Sequence, residues 1–201
     1  MPIETIVLAT RNPGKVIQYR QALESLGINV LGLTELGIKG KPTESGDTAE
    51  ANAAIKGLFY SALTPYPVLT EDESLLVDFL PIELQPGVRV RRINGEDEVT
   101  DDQLFQYWKE IVSRTPPSLR TGRWHIAYCL ATGGQILGQT ARDVEVKFFY
   151  PPSSVRIPGW PLSSIQGSTG KPSSERTPEE IQQRIQEDGL LIRQIIQKLV
   201  S

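Results

Sequence analysis

Cysteine, histidine and methionine each occur once in these 201 residues. With Cys129 alone there is no intrachain disulfide framework and no Cys-rich zinc site. With His125 alone there is no multi-His metal centre, and no Ser-His-Asp triad is expected. His125 lies in an apolar, strand-like run where a structural role is expected. Basic residues do not outnumber acidic ones: 21 Lys and Arg stand against 24 Asp and Glu, a net charge of −3. General attraction to nucleic acid is therefore not expected, although a local basic cluster can still take a small anion. No apolar run is long enough to predict a membrane span, and Met1-Pro2-Ile3-Glu4 enters a strand-like run with no basic region before it. A cytoplasmic protein is expected. Neither G-x-x-x-x-G-K-[ST] nor G-x-G-x-x-G is present, which removes the two commonest nucleotide-binding designs. The ordinary apolar and charged fractions that remain suit one large globular domain, or two intimate lobes.

The chain opens as β-loop-α-β. Ile6-Val7-Leu8 predicts a strand. Asn12 and Pro13 predict a helix cap and first turn, Val16, Tyr19, Leu23 and Leu26 a core face, and Gly27 a left-handed stop. Ile28 to Leu33 reads as a second strand. Asp47-Thr48-Ala49-Glu50 resembles a capping box with Asp47 as the cap, opening a helix to about Leu63. Its expected apolar face is Ala51, Ala54, Ile55, Leu58, Phe59 and Ala62, with Thr48, Asn52 and Lys56 as a polar stripe. A short strand follows over Tyr66 to Thr70, with Glu71-Asp72-Glu73 at its C-terminal end. Thr100 and Gln103 predict a capped helix with Leu104, Trp108 and Ile111 as core. Trp124 to Ala131 and Gln135 to Gln139 read as a hairpin about Thr132-Gly133-Gly134, and Asp143 to Tyr150 as a further strand. Pro151 to Thr177 is expected to be a long functional loop or mobile segment. Thr177-Pro178-Glu179-Glu180 starts a last helix with Ile181, Ile185, Ile192, Ile196 and Leu199 on one face. The alternation of strands and helices predicts an α/β fold.

Three constellations bear chemistry. Thr10, Asn12 and Lys15 lie where a strand hands over to a helix, a geometry that suits a polyphosphate because free N–H groups and the helix dipole favour an anion. The same residues also read as a capped turn with a solvent-facing lysine. Asn52 and Lys56, with Glu44 upstream, form either the solvated face of a helix or a stripe facing a cleft, with Lys56 on phosphate oxygens. Glu71-Asp72-Glu73 is either an acidic loop or part of a site for a hard divalent cation. Mg²⁺ needs only one or two carboxylates besides phosphates and water, so Glu44 and Asp72 would suffice. Together these features ask for phosphoryl chemistry. Arg89, Arg91 and Arg92 read equally as an anion-facing strand or a solvated edge.

In this combination the sequence resembles the inosine triphosphate pyrophosphatase family. The family's T-x-N-x-x-K is present as Thr10, Asn12 and Lys15. Its E-x-G-x-T-F-x-x-N-A-x-x-K runs from Glu44 through Thr48 and Asn52 to Lys56, with Ala49 in place of Phe. Its A-D-D-S-G-L-x-V-D-A-L frame fits Thr70 to Leu80, with Glu71 for the first Asp, Asp72 kept, and Glu73-Ser74 for Ser-Gly. Pro86-Gly87-Val88 keeps its P-G-V. The likeness is clear to about residue 90 and weaker beyond. Of G-F-G-Y-D-P-x-F there are only fragments, at Phe148-Phe149-Tyr150-Pro151 or Pro158-Gly159-Trp160-Pro161. The family's K…S-H-R corresponds to Lys171 and Ser174-Glu175-Arg176, with glutamate for histidine.

The resemblance implies one domain over residues 1–201, a long mixed β-sheet flanked by helices, two lobes with an active-site cleft between them, and a homodimer. It implies hydrolysis of a nucleoside triphosphate to the monophosphate and pyrophosphate with Mg²⁺, with altered choice of base. Lys15 and Lys56 would hold the phosphate chain with Thr10, Asn12 and Asn52. Glu44 and Asp72 would position Mg²⁺, with Glu71 supporting, and Asp72 would orient the attacking water. Lys171, Ser174 and Arg176 would bind the rest of the substrate. Two rivals are a non-catalytic nucleotide- or phosphate-binding relative and a structural protein that keeps the fold as an assembly surface.

Overall fold

The computed structural model describes residues 3–93, 95 and 99–200, with side chains as far as residue 197. Ten elements carry the chain: β1 (Thr5–Leu8), α1 (Pro13–Glu24), β2 (Asn29–Gly32), α2 (Ala49–Ser61), β3 (Val68–Val77), α3 (Asp101–Arg114), β4 (Thr121–Thr132), β5 (Gln135–Phe148), β6 (Gln166–Gly167) and α4 (Pro178–Val200). The strands form one mixed sheet in the order β2-β1-β3-β4-β5-β6. β1 lies parallel to both β2 and β3, and β5 antiparallel to β6. The α/β class read from the sequence holds.

Local chemistry explains the starts and stops. Asn12 caps α1 by accepting from Gly14 N at 2.9 Å, and Gly27 beyond the helix has φ +78°. Thr100 and Gln103 form the expected capping box of α3. Gly133 and Gly134 both take positive φ, +56° and +76°, the backbone that a two-residue hairpin turn between β4 and β5 demands.

Several expectations need correction. The cap of α2 is Thr48, not Asp47: Thr48 is extended and its side chain accepts from Ala51 N at 3.1 Å. β3 does not stop at Thr70 but continues to Val77, so the acidic triplet lies inside a strand whose Leu75 and Val77 are buried. The two strands expected over 135–150 are one, since nothing between Gln139 and Asp143 breaks the extended run. The buried side of α2 is Ala49, Asn52, Ala53, Gly57, Tyr60 and Ser61, while Leu58 is exposed. This helix is apolar over most of its circumference, and its phase is set by small residues: a Cβ on Gly57 would stand 2.8 Å from Cys129 Sγ. In α3, Phe105 and Val112 join Leu104 and Trp108 in the core, and Ile111 is only half-buried. In α4, Ile192, Ile195 and Ile196 are buried but Ile181 is exposed; Leu199 lies outside the described side chains. Residues 151–177 do not form an open loop. They hold two short 3-10 turns, Pro161–Ser164 and Ser173–Glu175, and β6, and they bury Leu162 and Ile165.

The chain divides into two compact units. The first comprises Met1–Asp72, Ile126–Arg142 and Glu179–Ser201; the second comprises Glu73–His125 and Asp143–Pro178. The first contains a core of Val7, Ala9, Leu33, Tyr60 and Val68. In the second, Trp108 stacks on Phe148, ring centroids 5.8 Å apart, among Leu75, Leu104, Val146 and Ile165. Among the described residues no helix is long and apolar enough to cross a membrane.

Candidate active site

The strand order reverses direction at β1. α1 leads from β1 to β2 on one side, while β3 lies on the other side of β1. The β1–β3 ladder ends at Leu8 opposite Leu69, with one further bond from Ala9 N to Leu69 O at 3.0 Å, whereas β3 runs on to Val77. The edge of β3 that faced β1 is therefore released from that ladder beyond Leu69. In open α/β sheets this point, outside the carboxyl end of a strand where the order reverses, is where ligands bind.

The loop from β1 to α1 is tightly built. Thr10 Oγ1 accepts from Asn12 N at 3.2 Å, and Asn12 caps the helix. Both side-chain oxygens thus shape the loop itself. Arg11, which the sequence did not single out, donates through Nη2 to the carbonyls of Ile38, Lys39 and Gly40 at 3.2, 2.7 and 2.9 Å. It ties the irregular segment that leads to Glu44 onto this loop.

Two lysine–carboxylate pairs stand on β3. Lys15 Nζ lies 2.8 Å from Glu71 Oε1. Lys56 Nζ lies 2.6 Å from Asp72 Oδ1 and 3.7 Å from Glu44 Oε2. Asn52 donates to Asp72 Oδ2 at 3.3 Å and accepts from Gly46 N at 2.8 Å, so it joins the strand to the Glu44 loop. Because side chains alternate along a strand, Glu71 and Asp72 project to opposite faces of the sheet, Glu71 towards α1 and Asp72 with Thr70 towards α2. The helices confirm it: Thr70 Oγ1 donates to Ala53 O of α2 at 2.7 Å, and Asp72 meets Asn52 and Lys56 of the same helix. Of Lys15, Lys56, Glu44 and Asp72, the last three stand together on the α2 side of β3, while Lys15 pairs with Glu71 on the α1 side. The side chains of Lys15, Lys56 and Asp72 are 13%, 14% and 13% exposed, and that of Glu44 is 30% exposed.

The electrostatics differ between the pairs. Burial pushes the Glu71 carboxyl up, but the Lys15 charge and hydrogen bond, the neighbouring Tyr19 and the charge of Lys56 pull it below its ordinary value. Burial wins at Asp72 and holds its carboxyl above the ordinary value despite Lys56. The stripe Asn52–Lys56 therefore faces protein and a carboxylate rather than water. No group of three or more His, Cys, Asp or Glu among the described residues is arranged to hold a metal ion by itself. What is present is two carboxylates, Glu44 and Asp72, around one ammonium.

Lys171, Ser174 and Arg176 belong to the second unit. Ser174 Oγ is buried without a hydrogen-bond partner among the described residues, and Arg176 donates to Ser168 Oγ at 3.3 Å. His125 Nδ1 lies 2.6 Å from Asp143 Oδ1.

Cys129 sits under α2, and burial raises its thiol from the ordinary 9.0 to about 11 despite the opposing effect of the Thr70 hydroxyl. The native protein is expected to react far more slowly with Ellman's reagent at pH 8 than the protein in guanidinium, which should release one thiol per chain. The unfolded thiol loses its proton first, so this group's contribution to stability is intact below pH 9 and falls as pH rises from 9 towards about 11.

The profile of the Ham1 family matches residues 6–142. A dITP/XTP pyrophosphatase of Symbiobacterium thermophilum is 38% identical over 140 residues, covering 68% of this chain and 67% of the relative. A dITP/XTP pyrophosphatase of Escherichia coli O157:H7 is 33% identical over 123 residues, 61% of this chain and 60% of the relative. Among solved structures, a HAM1 protein from Coxiella burnetii superposes with a TM-score of 0.71 at 22% identity, over 94% of this chain and 98% of that one. The Staphylococcus aureus Ham1 protein gives 0.69 at 18% identity, over 96% and 98%. The profile match ends before Lys171, Ser174 and Arg176, while the fold likeness continues nearly to the end of the chain.

Proposed function

This chain belongs to the Ham1 family, and from that membership we propose that it hydrolyses a nucleoside triphosphate of non-standard purine type to the monophosphate and pyrophosphate. The observation that carries the proposal is the pair of part-buried lysine–carboxylate contacts, Lys15–Glu71 and Lys56–Asp72, at the carboxyl end of β1.

In this reading an incoming phosphate chain draws the two ammonium groups from their carboxylates, with Asn12 and Thr10 shaping the loop that receives it. Transfer of Lys56 to phosphate frees Glu44 and Asp72. Two carboxylates released by one ammonium on the same side of β3 fit one divalent cation carried by the phosphates, with Glu44 and Asp72 as its protein ligands and Glu71 supporting from the other face. Mg²⁺ bound there would polarise the α-phosphate and neutralise developing charge. Asp72, with its carboxyl raised by burial and held by Asn52, orients the attacking water. Lys171, Ser174 and Arg176 complete substrate binding, and Glu175, where the resembling family has histidine, alters which base is accepted. A homodimer, taken from the same resemblance, belongs to the proposal and is checked by light scattering, and so does the cytoplasmic location expected from the sequence.

The test is a pyrophosphate-release screen over ITP, XTP, dITP and the common triphosphates, with and without Mg²⁺. Release from at least one purine triphosphate, dependent on Mg²⁺, is expected. Thermal stabilisation by triphosphates without release would leave binding alone and overturn hydrolysis.

A further inference from the structure

Glu71 is more deeply enclosed than any other carboxylate of the site. Its side chain is 3% exposed, and Oε2 is sealed from solvent with no hydrogen-bond partner among the described residues. An unpaired carboxylate oxygen in such a place is costly, and a donor is at hand. On the same face of the sheet, Tyr19 of α1 and Tyr128 of β4 are both buried and stand edge to face, ring centroids 6.4 Å apart. Tyr128 Oη accepts from Arg142 Nε at 3.2 Å. Arg142 Nη2 lies 3.2 Å from Asp188 Oδ1 of α4, and Asp188 Oδ2 accepts from Arg184 Nε at 3.1 Å and from Gln18 of α1.

Donor arithmetic gives this line a direction. Each phenol has one proton to donate, and a guanidinium accepts none. Tyr128 accepts from Arg142, which leaves its own proton available to Tyr19, and Tyr19 can then donate to Glu71. Burial and the Glu71 charge both push the Tyr19 phenol upward, and burial followed by the same charge raises Tyr128, so both protons stay on oxygen. We propose that Tyr19 is a positioning residue, whose hydroxyl, oriented by Tyr128 and Arg142, fixes the Oε2 side of Glu71 so that Oε1 keeps Lys15 aimed at the phosphate chain. The line begins at Asp188, so the last helix takes part in setting the aim of Lys15. This rests on the phosphate role given to Lys15 above.

The test compares the full chain with Tyr19→Phe, Tyr128→Phe, Glu71→Gln and the Tyr19→Phe/Glu71→Gln double variant. Tyr60→Phe, in the first unit's core and outside this line, is the packing control. Tyr19→Phe is expected to lower kcat about tenfold with KM nearly unchanged, Tyr128→Phe to act in the same direction, and Tyr60→Phe to match the parent. On the Glu71→Gln background Tyr19→Phe should add nothing, because its effect passes through that carboxylate. A Tyr19→Phe enzyme with parental kcat, or one whose loss persists undiminished on Glu71→Gln, overturns the proposal. Guanidinium unfolding of the same set gives an independent answer: the midpoint shifts of the two single variants should sum to more than that of the double. Additive shifts also overturn it. If the parent releases no pyrophosphate from any triphosphate, the proposed function fails while the midpoints still decide the Tyr19–Glu71 link. If Glu71→Gln does not fold, the Tyr19→Phe/Tyr128→Phe double variant supplies the second cycle: because Tyr128 acts through Tyr19, its kcat should equal that of Tyr19→Phe and its midpoint shift fall below the sum of the singles, and additive losses overturn the proposal.

Discussion

Asp72→Asn is expected to lower pyrophosphate release by ~10²–10⁴-fold, the range that a positioned acid–base group contributes, while the protein stays folded. Asparagine has nearly the same shape, so contact with Asn52 and packing under α2 can persist. Lys56 retains Glu44, 3.7 Å away, as a counter-charge. What disappears is the carboxylate itself, the group that orients water and, with Glu44, would hold the cation. Turnover equal to that of the parent would remove Asp72 from the reaction. Lys15→Ala makes an instructive contrast. It too should abolish turnover, but with more loss of folding, because Glu71 would be left as a buried charge without its ammonium partner.

Asp188→Ala is expected to cost about 3 kcal/mol of folding stability, the lower end of the range for removing one member of a buried ion pair. Asp188 is 2% exposed and lies against Arg142, Arg184 and Gln18. Its removal leaves two cations without their shared acceptor in the interior of the first unit, although both arginines retain some contact with water. Chemical denaturation of the full chain measures the loss directly. A change below about 0.5 kcal/mol, the level of an ordinary surface substitution, would show that the arginines find other partners.

Asp188 also shows where the sequence was silent. Beside Gly189, in the middle of a helix with acidic and basic residues on every turn, one aspartate among several carries no mark of burial. Its role depends on Gln18 and Arg142, far away in the chain. The same holds for Tyr19 and Tyr128, which read as core aromatics because a phenol's hydroxyl matters only once its neighbour is known. By contrast, the caps at Asn12 and Thr100, the stop at Gly27 and the turn at Gly133-Gly134 were legible, since each depends on contacts within a few residues. Short motifs in the right order singled out Lys15, Glu44, Asn52, Lys56 and Asp72, and the last four meet on one side of β3. They did not reveal that Glu71 and Asp72 face opposite sides of β3, because a strand ending at Thr70 would have left both in a loop. The phase of α2 was missed for a related reason. Hydrophobicity favoured Leu58 and Ile55, yet Gly57 lets the helix lie close to Cys129, and closeness overrode apolar count.

The segments of the two units alternate along the chain, and this bears on how the protein is made. A ribosome releases residues 73–178, which include all of the second unit, before the 179–201 stretch that the first unit requires. Lys15 and Lys56 are synthesised early, but the helix bearing Asp188 emerges after the other nine elements named above. During translation the first unit's segments must therefore wait, incomplete, with Arg142 lacking its acid partner. A stalled or truncated product missing only α4 would possess every residue assigned to phosphate and metal, and would still lack the piece that braces them.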